Sequence, residues 1–330
     1  GAAGAAGGMP TSALLLLPLA ALIQIGLGAV AAKIITTKRF GMRPRFLGID
    51  TDDDAGANDI RMCTTFANSG PLPLILSDAL FHGAILSDVA ACISFYLLVW
   101  SPLFWTFGKI ILGLNDRADD DTSSNNSFIS TILKQVKLFL SPPVMGSIIG
   151  VIIGSSATLR NLLVNPGGAL APIFGSLKTF GVAYLPAAIL VLAGSLVKKR
   201  ETSPSSPVES DSNDNKKSSS LSPKTIISII LSRFVLSPIL AIATVRLMTI
   251  AKLMPADNAR TLAIVTFTLL MEGCTPPAQN SVIMLQLANE KERAAKMAKL
   301  LTVLYSVSVI PVTLLLSGCL SLSGILNFVS

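Results

Sequence analysis

The chain has 330 residues, of which 51% are apolar and only 14% charged, with a mean hydropathy of +0.65. A soluble domain carries about 25% charged residues, so the composition excludes a soluble enzyme and points to a polytopic membrane protein, with room for roughly eight spans of about 20 residues. The formal net charge of +7 does not signal nucleic acid, because the basic residues lie in loops between apolar runs, where they report topology.

Residues 1–10 begin with the low-complexity run Gly1–Gly8 and read as a flexible lead. Thr11–Ala32 is the first span; it is longer than a signal-peptide core and has no basic flank before it. The loop 33–59 carries Lys33, Lys38, Arg39, Arg43 and Arg45, then the acidic run Asp52–Asp54. Residues 60–81 form the second span, and Ala84–Leu112 the third, with Trp100 and Trp105 expected as interfacial anchors. Residues 113–128 are a polar linker. The fourth span covers 129–155 and is interrupted by Pro142-Pro143; the fifth covers 169–196 and holds Pro172 and Pro186. Residues 197–224 are rich in Ser, Pro and charge and are disordered by composition. Spans at 225–248, 260–286 and 299–327 complete the chain.

Lysine and arginine gather in the loops after odd-numbered spans, above all 33–59, 197–224 and 287–298, and are nearly absent after even-numbered ones. The odd loops are therefore expected in the cytosol and both termini outside it. Spans two and seven each carry a break, and this orientation runs them in opposite directions, as an inverted repeat would. The expected fold is thus an all-α polytopic membrane protein of inverted five-helix repeats with two broken crossover helices. Residues 129–327 make a second repeat of five spans, and 11–112 a partial first repeat of three. On this arithmetic, two leading spans are missing from the first repeat.

The first break is Asn68-Ser69-Gly70-Pro71-Leu72-Pro73, and the second runs through Leu270–Asn280 with Pro276-Pro277 at its centre. Proline removes a backbone donor and clashes with the preceding turn, and broken backbone in hydrocarbon is tolerated only where protein or a wet cavity satisfies it. Half-helix N-termini at such breaks favour anions, and Asn68, Ser69, Gln279 and Asn280 add neutral donors and acceptors. The competing reading is that the prolines merely kink packed helices, which is all that Pro142-Pro143, Pro172 and Pro186 are expected to do. Glu272 lies near the middle of its span and is either a proton-coupling group or a structural carboxyl. Asp78 and His82 are read as a local interfacial pair. Arg233 is expected to snorkel toward the cytosolic face and Lys178 toward the outer one, while Glu290–Arg293 reads as a solvated helix start. The four cysteines, Cys63, Cys92, Cys274 and Cys319, have no metal-site or disulfide spacing, and His82 is the sole histidine, so no metal or other cofactor is expected. Phosphate-loop, Gly-x-Ser-x-Gly and His-Glu-x-x-His motifs are absent, which argues against ATP-driven pumping and membrane hydrolysis.

These residues resemble the auxin efflux carrier family of membrane transporters, most of all its PIN-LIKES branch. Asn68, Gly70 and Pro73 match the family's Gly-Asn-x-Gly-Asn-x-Pro-Leu segment, with Ala67 and Pro71 departing from it. Pro276-Pro277-Ala278-Gln279-Asn280 with Gln286-Leu287 is similar to its Pro-Pro-Ala-x-Asn…Gln-Leu segment. The resemblance implies two inverted five-helix repeats and carboxylate substrates held where the broken helices cross, by Asn68, Ser69, Gly70, Pro71, Pro73, Pro276, Pro277, Gln279 and Asn280. It implies a transporter or facilitator of an auxin-like anion working by alternating access, with the endoplasmic reticulum membrane favoured and the plasma membrane as the alternative location. The expected partners are a small organic anion, the lipid bilayer and a second copy of the chain as a homodimer, with no nucleic acid. The alternatives are a non-transporting membrane sensor or scaffold and a sodium-coupled carrier of related architecture.

Overall fold

The computed structural model describes residues 9–36, 54–114, 142–196, 223–255 and 258–329. Most of the basic loop (37–53), the linker 115–128, the first half of the expected fourth span (129–141) and the Ser-rich stretch 197–222 lie outside the described residues. The described elements are helical in chain order: α1 (Thr11–Thr36), α2 (Asp54–Thr65), α3 (Pro71–Leu80), α4 (Gly83–Ile111), α5 (Pro142–Ser155), α6 (Ala157–Leu163), α7 (Ala171–Leu196), α8 (Pro223–Leu231), a π-turn (Ser232–Leu236), α9 (Ser237–Ile250), α10 (Ala259–Cys274), α11 (Asn280–Leu287) and α12 (Lys291–Ser323), with a closing 3₁₀ turn at Ile325–Phe328. The protein is an all-α membrane protein.

Among the described residues, Ser12–Thr36, Gly83–Ile111, Thr225–Ile250 and Lys291–Ser323 are long and apolar enough to cross a membrane. The two expected broken spans appear as helix pairs, α2–α3 and α10–α11. Each pair is interrupted where the sequence places Gly or Pro beside polar residues, at Phe66–Gly70 and Thr275–Gln279. Helix α3 resumes with Pro71 in its first turn, where the missing N–H costs no helical bond. Prolines 18, 102, 186 and 311 sit inside helices that continue past them.

Helix α1 lies against α2 and α4, α10 against α9 and α12, and α11 against α12, so the two broken pairs share one bundle. Helix α5 leans on α4, and α7 on α12 and α11. Close approach is made by small residues, as in other membrane bundles. A Cβ on Gly28 would meet the Thr65 backbone oxygen at 3.3 Å, one on Gly108 the Met62 and Met284 methyls at 2.9 and 3.1 Å, and one on Gly273 the Ala241 Cβ at 2.5 Å. Large apolar side chains such as Leu15, Ile250 and Ile310 stay exposed on the outer faces, where lipid replaces water.

Four sequence expectations are corrected by the packing. Trp100 is no interfacial anchor: it is buried, stacked on Phe104 at 4.9 Å and edge-on to Phe66 at 6.0 Å, so its area seats the first break. Arg293 is not part of a solvated helix start. It binds Asp59 at 2.6 Å and donates to the Leu112 carbonyl at 2.6 Å, joining α12, α2 and the end of α4. A second pair, Arg260–Asp88 at 2.6 Å, joins α10 to the other end of α4. Asp78 and His82 are both exposed and form no pair with each other. The fourth correction, at Arg233, belongs to the site.

Close packing at Gly273 gives a test. Gly273→Ala is expected to lower stability by roughly 1–3 kcal/mol through overpacking against α9, whereas Gly26→Ala, with nothing within 4 Å of the added carbon, leaves it unchanged or raises it. Thermal unfolding of the purified protein in detergent distinguishes the two variants, and equal melting temperatures would contradict the contact.

Candidate functional site

The two breaks meet. Ala67 and Pro277 form an antiparallel bridge, in which Asn68 N donates to the Pro276 carbonyl at 2.8 Å and Ala278 N donates to the Phe66 carbonyl at 3.0 Å. Each break therefore supplies part of what the other lost by leaving helical geometry. The reason lies in the sequence: Pro276 and Pro277 have no N–H to offer, but their carbonyls remain strong acceptors that must be answered in a membrane interior. Pro277's carbonyl is answered by Tyr305 of α12 at 2.9 Å, and the Tyr305 oxygen in turn accepts from Asn68 Nδ2 at 2.7 Å. Phe66, packed edge-on to Phe104 at 5.3 Å, anchors the first break in the bundle.

Behind the crossing lies a cavity of about 30 Å³, lined by Gln24, Thr65, Tyr96, Arg233 and Glu272 among others. That is space for about two waters. Its walls include the C-terminal ends of α2 and α10, at Thr64–Thr65 and Glu272–Gly273. Gln24 bridges three helices there: Nε2 donates to the Leu269 carbonyl at 3.0 Å and Oε1 accepts from the Tyr96 hydroxyl at 2.9 Å. Arg233 does not snorkel. It is 3% exposed and donates to the Thr275 carbonyl from Nε (3.2 Å) and Nη2 (2.7 Å), and from Nη1 to the Thr64 carbonyl (3.3 Å) and Ser237 Oγ (3.0 Å). Its inward position follows from Pro238. That residue has no N–H for the carbonyl one turn back, and the chain relaxes into the π-turn with Ser237 N bonded to the Ser232 carbonyl. Such π-turns recur at functional sites.

The expected site residues separate into three groups. Asn68 is buried and engaged with Tyr305, and Pro276 and Pro277 are engaged through their carbonyls. Gly70, Pro71 and Pro73 open α3, and Asn280 opens α11. Because Pro71 and Pro73 lack N–H groups, the first turn of α3 can offer only those of Gly70 and Leu72, fewer than an ordinary helix start. The third group consists of buried polar atoms without a protein partner: Ser69 Oγ, Gln279 Nε2 and both carboxyl oxygens of Glu272, joined by Thr65 Oγ1. Ser69 precedes Gly70, the N-cap of α3, and Gln279 directly precedes α11. Unpartnered buried polar atoms are costly, and of the six described residues that carry them, four, Thr65, Ser69, Glu272 and Gln279, lie at or beside the crossing. Gln24, Tyr305 and Arg233 escape sequence reading as site members. A lone amide inside the apolar first span, and a proline five residues after an intramembrane arginine, are the signals that could have found two of them. Cys274 and Cys319 also meet here, with sulfurs 3.5 Å apart and both thiols free.

A family profile described as Membrane transport protein matches residues 53–316, which include both breaks. Three curated proteins of Arabidopsis thaliana are similar to the chain. Protein PIN-LIKES 7 is 27% identical over 166 residues, covering 50% of this chain and 36% of the relative. Protein PIN-LIKES 5 is 26% identical over 180 residues, covering 54% and 39%, and Protein PIN-LIKES 4 is 26% identical over 187 residues, covering 56% and 41%. The chain thus spans well under two thirds of the length of the curated relatives it matches. No solved structure matches it.

The Asn68–Tyr305–Pro277 link is testable by itself. Tyr305→Phe strands a buried amide N–H and a buried carbonyl, at an expected cost of about 1–3 kcal/mol. A melting temperature in detergent equal to that of the unaltered protein would show that the link does not form.

Proposed function

The chain belongs to the membrane transport protein family, and on that footing we propose that it is a secondary transporter or facilitator of an organic carboxylate anion, auxin-like, working by alternating access. The observation that carries this reading is the hydrogen-bonded crossing of two broken helices with unpartnered donors, Ser69 Oγ–H and Gln279 Nε2, at the starts of α3 and α11. Helix N-termini favour negative charge, and neutral donors beside them hold a carboxylate without a mobile buried cation. Asn68, Gly70, Pro71, Pro73, Pro276, Pro277 and Asn280 set the backbone path that brings these donors together. An organisation into two inverted repeats, with α1, α2–α3 and α4 corresponding to α8–α9, α10–α11 and α12, belongs to the same proposal, and in each set the broken pair packs against both flanking helices. The PIN-LIKES resemblance favours the endoplasmic reticulum membrane.

Ser69 and Gln279 are buried at the crossing. Pockets for organic ligands run to roughly 300–1,000 Å³, whereas the cavity here has about 30 Å³. Loading therefore requires movement, and the group α5–α7 is the element suited to it. It touches the bundle only through α4, α11 and α12 among the principal contacts, and its glycines 146, 150, 154, 175 and 181 have no neighbour within 4 Å of an added Cβ.

Glu272 is the second part of the proposal. Its carboxyl is 1% exposed and neither oxygen has a partner, and it stands by the cavity with Tyr96 and Arg233 as the nearby ionisable groups. Such a group is placed to carry a proton together with the anion.

Two outcomes are expected in proteoliposomes. Ser69→Ala and Gln279→Ala each lower uptake of labelled indole-3-acetate by about tenfold or more, the worth of one hydrogen bond to a charged group. Unchanged uptake in both variants would sink the assignment. Glu272→Gln is expected to flatten the pH dependence of uptake, and a pH profile identical to that of the unaltered protein would remove the proton-coupling role.

A further inference from the structure

Arg233 is held almost wholly by the protein. A guanidinium has five N–H donors, and four donor contacts run to Thr64, Thr275 and Ser237, leaving one N–H on Nη2. It is therefore poorly placed to act as an open hook for a substrate carboxylate. Its backbone acceptors have one thing in common: Thr64 lies in the last turn of α2, and Thr275 caps the end of α10. These are the C-terminal ends of the two half-helices that meet at the crossing. Each such end carries about half a negative charge, so the two together present roughly one, which a single guanidinium offsets. A planar fork can bond both ends at once, which a lysine ammonium cannot do in the same way. Ser232, beside it in the π-turn, adds a 3.1 Å contact to the Thr64 hydroxyl, so the turn and the end of α2 are joined at two points.

We infer, building on the reading of the crossing above, that Arg233 is the resident cation of the site. It is a positioning residue that holds the two half-helix C-termini together and fills the electrostatic role that an imported inorganic cation would otherwise have. Anion binding at the N-terminal ends then proceeds without sodium or potassium. Arg233 acts through the backbone of both breaks, and Ser69 and Gln279 remain the donors that touch the anion.

The test uses the full chain, purified in detergent and reconstituted in liposomes. Arg233→Ala is expected to lower the melting temperature and to reduce indole-3-acetate uptake by about tenfold or more, as loss of buried charge-assisted bonds implies. Millimolar guanidinium chloride is expected to raise the melting temperature of Arg233→Ala and to restore a large part of its uptake. Sodium chloride at the same concentration does neither, and the unaltered protein responds to neither salt. Transport by the unaltered protein that requires sodium or potassium overturns the inference, as does an Arg233→Ala variant that folds and transports normally. So does a variant that sodium rescues as well as guanidinium. Should Arg233→Ala fail to fold, Arg233→Lys decides: normal uptake overturns the inference, and a severalfold loss at near-normal melting temperature supports it. If the unaltered protein carries no carboxylate at all, the functional reading fails, while the guanidinium-specific rise in melting temperature of Arg233→Ala still reads the cation's place.

Discussion

Two stretches of backbone that have left helical geometry inside a membrane protein satisfy one another, and the rest of the structure is arranged to let them. An unsatisfied carbonyl or N–H in hydrocarbon costs several kcal/mol, so a break at this depth persists only if its groups find partners. Here the partners come from several directions. Phe66 and Pro276 carbonyls are met by backbone N–H groups of the opposite break, Pro277 by Tyr305, and Thr64 and Thr275 by Arg233. Removing α12 or the π-turn would strand polar groups at the breaks, and the glycine contacts at Gly28, Gly108 and Gly273 support the same arrangement. They bring α1, α4 and α9 close enough to the broken pairs for these bonds to form.

The crossing is chemically two-sided. The C-terminal ends of α2 and α10 are answered by a fixed guanidinium and by the polar cavity with Gln24 and Tyr96. At the N-terminal ends of α3 and α11, by contrast, Ser69 and Gln279 keep buried polar atoms without protein partners. The prolines sharpen this division. Pro71 and Pro73 thin out the backbone donors of α3, so the polar groups available there are mainly those of side chains.

The breaks and the spans were legible in the sequence because they depend on local chemistry: prolines, glycine and amides within apolar runs can only be interruptions, and helix α4 or α12 is long and apolar by itself. The residues that complete the site were not legible, because their roles depend on what they face. Trp100 has the same composition signal whether it sits at a membrane interface or seats Phe66 in the core. Arg233 reads as a snorkelling residue until the π-turn ahead of Pro238 directs it inward. Arg293 looks like one charge in a solvated run, and only the meeting of α12 with α2 and α4 turns it into a clasp. Tyr305 gives no sign in a helix that already holds Thr302, Ser306 and Ser308 around it. Its value comes from lying opposite a proline carbonyl.

The link from Asn68 to Tyr305 spans 237 residues of chain, and this has a consequence for how the protein is made. Synthesis proceeds at about 5–20 residues per second, so the first break is translated roughly ten to fifty seconds before the residues that satisfy it. During that interval its exposed backbone has no bonding partner within the nascent chain. The polar groups of the first break are therefore satisfied only after the second break and α12 have been made.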